Sequence, residues 1–147
     1  MSSKKLKSYL LVAIQLTCIA IIAFTGPFFP KNIFFLLIGI FGALLGLWAI
    51  IVMELGRFNI TPDVHENSRM VTRGPYKYIR HPMYASVLLI TLAWLLNYFT
   101  IFRFAIWIAL FIDLLLKIRF EEKLLSDHYE QYQDYRRKTK RLIPRIF

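Results

Sequence analysis

One cysteine, Cys18, is all this chain has, so it forms neither an internal disulfide nor a cysteine-based metal cluster; at mid-span it reads as a packing residue. Its histidines, His65, His81 and His128, lie far apart with no HxxxH or HExxH spacing, which argues against a zinc centre. Neither a Walker loop nor a GxGxxG fingerprint is present, so nothing points to a P-loop or a Rossmann dinucleotide site. Internal repeats, low-complexity stretches and Gly/Ser linkers are also missing, and the length fits a single domain over 1–147. Acidic residues are scarce, nine against nineteen Lys and Arg, for a net charge of +10. In a soluble protein that excess would suggest nucleic acid. Here the basic residues flank apolar runs, so no nucleic acid is expected and anionic lipid headgroups are the partner.

What the chain has in abundance is apolar surface. At 57% hydrophobic and 16% aromatic, it carries more than a soluble domain of this size can bury. The expected fold is all-α: a polytopic membrane protein of about four transmembrane helices plus a C-terminal amphipathic helix. The first span runs from about Tyr9 to Phe24 and stops at Thr25-Gly26-Pro27; the second runs from about Ile33 to Met53. A longer stretch from Tyr84 to Leu116 is broken by Asn97, Thr100 and Arg103, which predicts two short helices joined by a turn near Asn97 to Phe102. The start imitates a signal peptide but shows no convincing small-residue cleavage site, so it is read as a transmembrane helix.

Lys and Arg cluster before the first span, between the second and third, and after the fourth; only Lys31 and Arg103 fall in the opposite loops. The positive-inside rule then places both termini and the Arg57 to Arg80 segment in the cytoplasm, and the protein in the inner membrane if its source is bacterial. Within the second span Gly39, Gly42, Ala43, Gly46 and Ala49 recur on one side, a pattern that lets two helix backbones approach closely. Asp113, inside the fourth span, is an expensive carboxylate that should face a protein cavity or partner.

The densest polar segment is Arg73-Gly74-Pro75-Tyr76-Lys77-Tyr78-Ile79-Arg80-His81-Pro82-Met83-Tyr84, directly before the third span. Gly74-Pro75 favours a turn, and Pro82 disfavours helix at His81 while suiting the first turn of the next helix. Two roles are open to Arg80 and His81: binding an anion at the helix N-terminus, or anchoring the helix at headgroup level. A second constellation is Arg119-Phe120-Glu121-Glu122 after the fourth span. There Arg119 and Glu122 share a helix face, and Lys117 pairs with Glu121 at a spacing of four, with solvated ion pairs as the simpler role. Phe120, Leu124, Leu125, Tyr129, Tyr132 and Tyr135 continue a helical apolar face, expected to lie on the membrane or fold over the polar segment.

Together with Leu55-Gly56-Arg57, Val71-Thr72, Tyr132-x-x-Tyr135-Arg136-Arg137 and Arg141-Leu142-Ile143-Pro144, these two constellations resemble the isoprenylcysteine carboxyl methyltransferase family, which is related to the membrane phospholipid N-methyltransferases. The resemblance covers residues 54–147. It implies an S-adenosylmethionine-dependent methyltransferase whose cofactor meets His81 and Tyr84, with Gly74 and Tyr76 shaping its approach and Glu121 and Glu122 holding its polar groups. Arg119 matches an arginine that meets the substrate, and is the residue expected to act in catalysis. The Phe-Gly often found before Tyr-x-x-Tyr is replaced here by His128-Tyr129, and Ser86 stands where the family often has a small residue. No metal is implied. The expected reaction is carboxyl O-methylation of a lipophilic or lipid substrate; amine N-methylation of a phospholipid, S-methylation of a small thiol, or a non-catalytic scaffold role are the alternatives.

Overall fold

A computed structural model describes residues 3–53 and 71–147, with side chains from Leu6 onward. The Leu55-Gly56-Arg57 element, Pro62, His65 and Arg69 lie outside the described residues. Within them the chain is helical and forms no strands: α1 (Ser3–Phe24), α2 (Ile33–Met53), a single 3-10 turn (Gly74–Lys77), α3 (Pro82–Asn97), α4 (Ile101–His128) and α5 (Tyr132–Lys138). Two helical stretches, Leu6–Phe24 and Ile33–Met53, are long and apolar enough to cross a membrane. Large hydrophobics such as Phe34, Phe41, Leu44 and Ile51 point outward from α2. An outward apolar face of that extent belongs in lipid rather than water.

α1 ends where the sequence predicts. Thr25 closes the last turn through its amide and hydroxyl, both donating to Ile21 O at 3.0 and 2.6 Å, and Pro27 cannot continue the helix. The loop to α2 is tied to the far end of α3: Trp94 Nε1 donates to Phe28 O at 2.8 Å, and Asn97 Oδ1 accepts from Lys31 N at 3.0 Å. Thr100 caps α4 by accepting from Arg103 N at 3.2 Å, so the break near Asn97 falls where expected. Arg103, 1% exposed, donates to Ile22 O at 2.6 Å and to Tyr98 O, which satisfies a carbonyl at the C-terminal end of α1. That Arg103 hydrogen bond fastens α1 to the α3–α4 turn.

The small residues of α2 do what their spacing suggests. α2 packs on α3, and the hydroxyl of Ser86 on α3 donates to Gly42 O at 2.7 Å. A Cβ at Gly42 would come within 2.9 Å of Leu89 Cβ, too close for any side chain without moving α3. On the other side α1 packs along α4, around Cys18, Ile22, Leu110 and Leu114. Cys18 is buried there, as expected for a packing residue.

One expectation is corrected. The aromatic face from Phe120 to Tyr135 is not one C-terminal helix. α4 runs on as a single helix to His128, extended backbone at Tyr129 breaks it, and a seven-residue α5 restarts at Tyr132. At 28 residues and about 1.5 Å per residue, α4 is about 42 Å long, well beyond a hydrocarbon core of about 30 Å. Its last three turns, beyond the apolar run that ends at Leu116, carry Glu121 and Glu122.

Candidate active site

Pro82 sets the local geometry. It sits at the first position of α3 and holds His81 out of the helix, at φ −124° and ψ 59°. The backbone of residues 78–81 is thereby free to pair with 139–141. Arg80 N donates to Lys140 O at 2.7 Å, Lys140 N to Tyr78 O at 3.2 Å, and His81 N to Arg141 O at 3.0 Å, around a parallel bridge between Ile79 and Lys140. The C-terminal segment is thus zipped onto the start of α3, opposite the end of α4.

Three cations and a phenol converge there on two carboxylates. Glu122 is buried: Oε1 accepts from Arg80 Nε at 2.8 Å, and Oε2 accepts from Arg141 Nη2 at 3.0 Å and Nε at 3.2 Å. Arg80 also donates to Thr139 O at 2.5 Å and Arg136 O at 3.2 Å. His81 lies between the carboxylates, Nδ1 3.4 Å from Glu121 Oε2 and Nε2 3.5 Å from Glu122 Oε1. Its ring stacks on Tyr84 with centroids 5.6 Å apart, and Tyr84 donates its hydroxyl hydrogen to Glu121. Burial pushes the Glu122 carboxyl up, but His81, Arg141 and Arg80 more than reverse this and hold it well below the usual carboxylate range. Burial likewise pushes His81 down, and Glu121 and Glu122 outweigh it to raise the imidazole.

The raised His81 has a consequence for stability. Its imidazolium contacts with both carboxylates are fully present below its ordinary value of 6.5 and are lost as pH rises through the higher folded value. Thermal unfolding in detergent from about pH 6 to about pH 9 should therefore show the wild type losing stability as pH rises, with a flatter profile for His81→Gln. A variant profile that parallels the wild type would remove His81 from the charge cluster.

Not all the sequence-predicted site residues join this cluster. His81, Tyr84, Glu121 and Glu122 do. Gly74 and Tyr76 shape the turn before it: Gly74 has φ +59°, in the left-handed region, and a Cβ there would meet Val52 Cγ2 at 2.7 Å. Tyr76 is buried, its carbonyl accepts from Tyr135 Oη at 2.7 Å, and burial, then Tyr135 and Glu121, raise its phenol. Arg119 is exposed on α4, outside the cluster. Lys117 does not pair with Glu121; its ammonium donates to Gln15 on α1 at 2.5 Å and lies over the Tyr84 ring. Arg80 pairs with Glu122 inside the protein, a contact that neither anion binding nor headgroup anchoring describes. Arg141 was visible only as part of a motif without a role.

The partly exposed Glu121 carboxylate is an acceptor suited to a ligand bearing hydroxyls or an amine. Glu121 keeps 21% of its side chain exposed, which leaves a carboxylate open to such donors. Among the described residues, Tyr132 Oη is buried without a hydrogen-bond partner, and burial pushes its phenol up to about 12, while His81 Nε2 has only its 3.5 Å ion contact with Glu122. Buried polar atoms of this kind call for a ligand or another partner.

Among the described residues, a helical scaffold without strands carries a carboxylate-imidazole-phenol cluster at the end of apolar helices. The chain belongs to the phospholipid methyltransferase family, whose model matches residues 30–132 and so takes in His81, Tyr84, Glu121 and Glu122. It is also similar to the methanethiol S-methyltransferase of Crocosphaera subtropica (strain ATCC 51142 / BH68), 36% identical over 72 residues. That stretch is 48% of this chain and 28% of that protein, so the match spans little more than a quarter of the relative's length. No solved structure matches.

Proposed function

We propose that this chain is an S-adenosylmethionine-dependent membrane methyltransferase acting on a small or lipophilic nucleophile. The partly exposed carboxylate of Glu121, beside the stacked His81 and Tyr84 rings in a chain of this family, is the observation that carries the reading. When bound, the cofactor supplies an activated methyl on a sulfonium. The protein then has three tasks: Glu121, His81, Tyr84 and Tyr132 bind polar groups, Gly74 and Tyr76 shape the approach, and the apolar helices keep water out. Glu122 serves the site indirectly, by clamping Arg80 and Arg141.

Carboxyl O-methylation calls for a two-donor arginine facing the substrate. Arg119 is the residue expected for that role, yet it is exposed, and Arg80 and Arg141 are occupied by Glu122. S-methylation of a small thiol needs no such fork, and the named activity of the cyanobacterial relative supports it. It is therefore the preferred acceptor class, with carboxylate and amine acceptors behind it.

The test is calorimetric titration of the purified protein with S-adenosylhomocysteine. Saturable binding is expected, and its absence would favour a non-catalytic scaffold. The four-span arrangement, with residues 57–80 and the C-terminal segment both cytoplasmic, is part of the same reading. Cysteines placed at Asn67 and Arg145 in a Cys18→Ala background should label from one face only, and labelling from opposite faces would overturn it.

A further inference from the structure

Asp113, Lys117 and Glu121 recur every four residues on α4, so they form one stripe about 12 Å long that descends from the candidate cofactor site into the apolar span. Glu121, at its head, accepts from Tyr84. One turn below, Lys117 is 2% exposed, held by Gln15 of α1 at 2.5 Å with its ammonium 5.2 Å from the Tyr84 ring centroid. A further turn below, Asp113 is 3% exposed, and among the described residues neither of its carboxylate oxygens has a hydrogen-bond partner. Beneath it the interior becomes apolar, with Cys18, Ile22, Leu110 and Leu114 packed together and Tyr84 and Trp107 against them.

A carboxylate kept only for packing would be replaced by leucine without loss, whereas a buried acid with both oxygens unsatisfied is costly unless something donates to it. Lys117, one turn away, supplies a counter-charge, but its ammonium is held by Gln15 and lies over the Tyr84 ring, so Asp113 is left without a hydrogen-bond donor among the described residues. Asp113 and Lys117 carry opposite charges one turn apart, so the stripe favours an ion of neither sign, and a nucleophile that brings its own proton supplies the donor that Asp113 lacks.

We infer that Asp113 and Lys117 line the acceptor subsite, between α1, α3 and α4, for a neutral thiol, and that Asp113 takes the thiol's proton; this rests on the methyltransferase reading above. The S–H bond breaks and its proton goes to a carboxylate oxygen of Asp113. The sulfur electron pair forms the new S–CH3 bond as the methyl donor's sulfonium C–S bond breaks, and the pair from that bond stays on the departing thioether. Lys117 supplies a positive charge one turn from Asp113. Gln15 and the Tyr84 ring hold the ammonium in place.

The experiment uses the full chain in phosphatidylcholine/phosphatidylglycerol nanodiscs, with methyl-labelled S-adenosylmethionine and three acceptors: propanethiol, decanoate and decylamine. The wild type should methylate the thiol and neither of the others. Asp113→Asn should lower thiol turnover about a hundredfold or more, in the range for a lost general base, while S-adenosylhomocysteine affinity stays within about threefold. Thiol turnover within about twofold of wild type in Asp113→Asn would overturn the role of Asp113. Should that variant fail to fold, the wild-type acceptor panel still decides: binding of S-adenosylhomocysteine without thiol methylation, or preference for decanoate or decylamine, defeats the thiol subsite alone. A wild type that does not bind S-adenosylhomocysteine brings down the methyltransferase reading and the subsite with it.

Discussion

Glutamine in place of Glu122 is expected to destabilise the protein by about 3 to 5 kcal/mol, the range for breaking a buried ion pair by removing one partner. Glu122 is the shared acceptor of Arg80 and Arg141 and lies 3.5 Å from His81, and its own side chain is only 6% exposed. Its loss leaves the Arg80 guanidinium, 7% exposed, with only backbone carbonyls and the Thr139 hydroxyl to bond. Urea unfolding of the protein in detergent, followed by tryptophan fluorescence, measures the change. Stability within about 0.5 kcal/mol of wild type, the usual range for a surface substitution, would show that the clamp does not hold the C-terminal segment.

Glu121→Gln should act on binding instead. Glu121 is partly open and touches one phenol and one imidazole, so the variant should fold nearly as the wild type does. Losing a charge-assisted hydrogen bond to the cofactor removes on the order of 1.5 to 3 kcal/mol, which is about tenfold to more than a hundredfold in affinity for S-adenosylhomocysteine. The adjacent glutamates thus separate on two axes: position 122 moves stability and position 121 moves affinity. Equal affinity in Glu121→Gln and wild type would take Glu121 out of the site.

Much of this was legible in the sequence because the signals were local. Pro82 predicts a helix start and a non-helical His81, Thr25-Gly26-Pro27 predicts an end, and the small residues around Gly42 and Gly46 predict a close helix contact; each rests on the conformational freedom or bulk of a few neighbouring residues. The split at Tyr129 was missed because the apolar periodicity of Phe120 to Tyr135 continues through it, and periodicity does not register a break that keeps the same face. The partners of Glu122 were missed for another reason. Helical spacing offered Arg119, three residues away, whereas the true partners are 42 residues before and 19 residues after it, brought in by backbone pairing that no short pattern encodes. Lys117 was read as a partner of Glu121 by the same local rule and is held by Gln15, 102 residues away on α1. Asp113 was legible as a cost, since an acid in an apolar run demands a purpose, but its unsatisfied oxygens are a property of the packed helices alone.

The parallel bridge between Ile79 and Lys140 also orders events during biosynthesis. Arg80 leaves the ribosome 59 residues ahead of Thr139, whose carbonyl and hydroxyl it will bond. By the time Glu122 has been made, every helix that carries His81, Tyr84 and Glu121 already exists, yet Arg141 does not. A nascent chain halted at Gln131 therefore holds His81, Tyr84, Glu121 and Glu122 without Tyr132 and without the segment that pairs with residues 78–81. The pairing of residues 78–81 with 139–141 is thus the last contact of this cluster to become possible, after α1, α2, α3 and α4 have all been made.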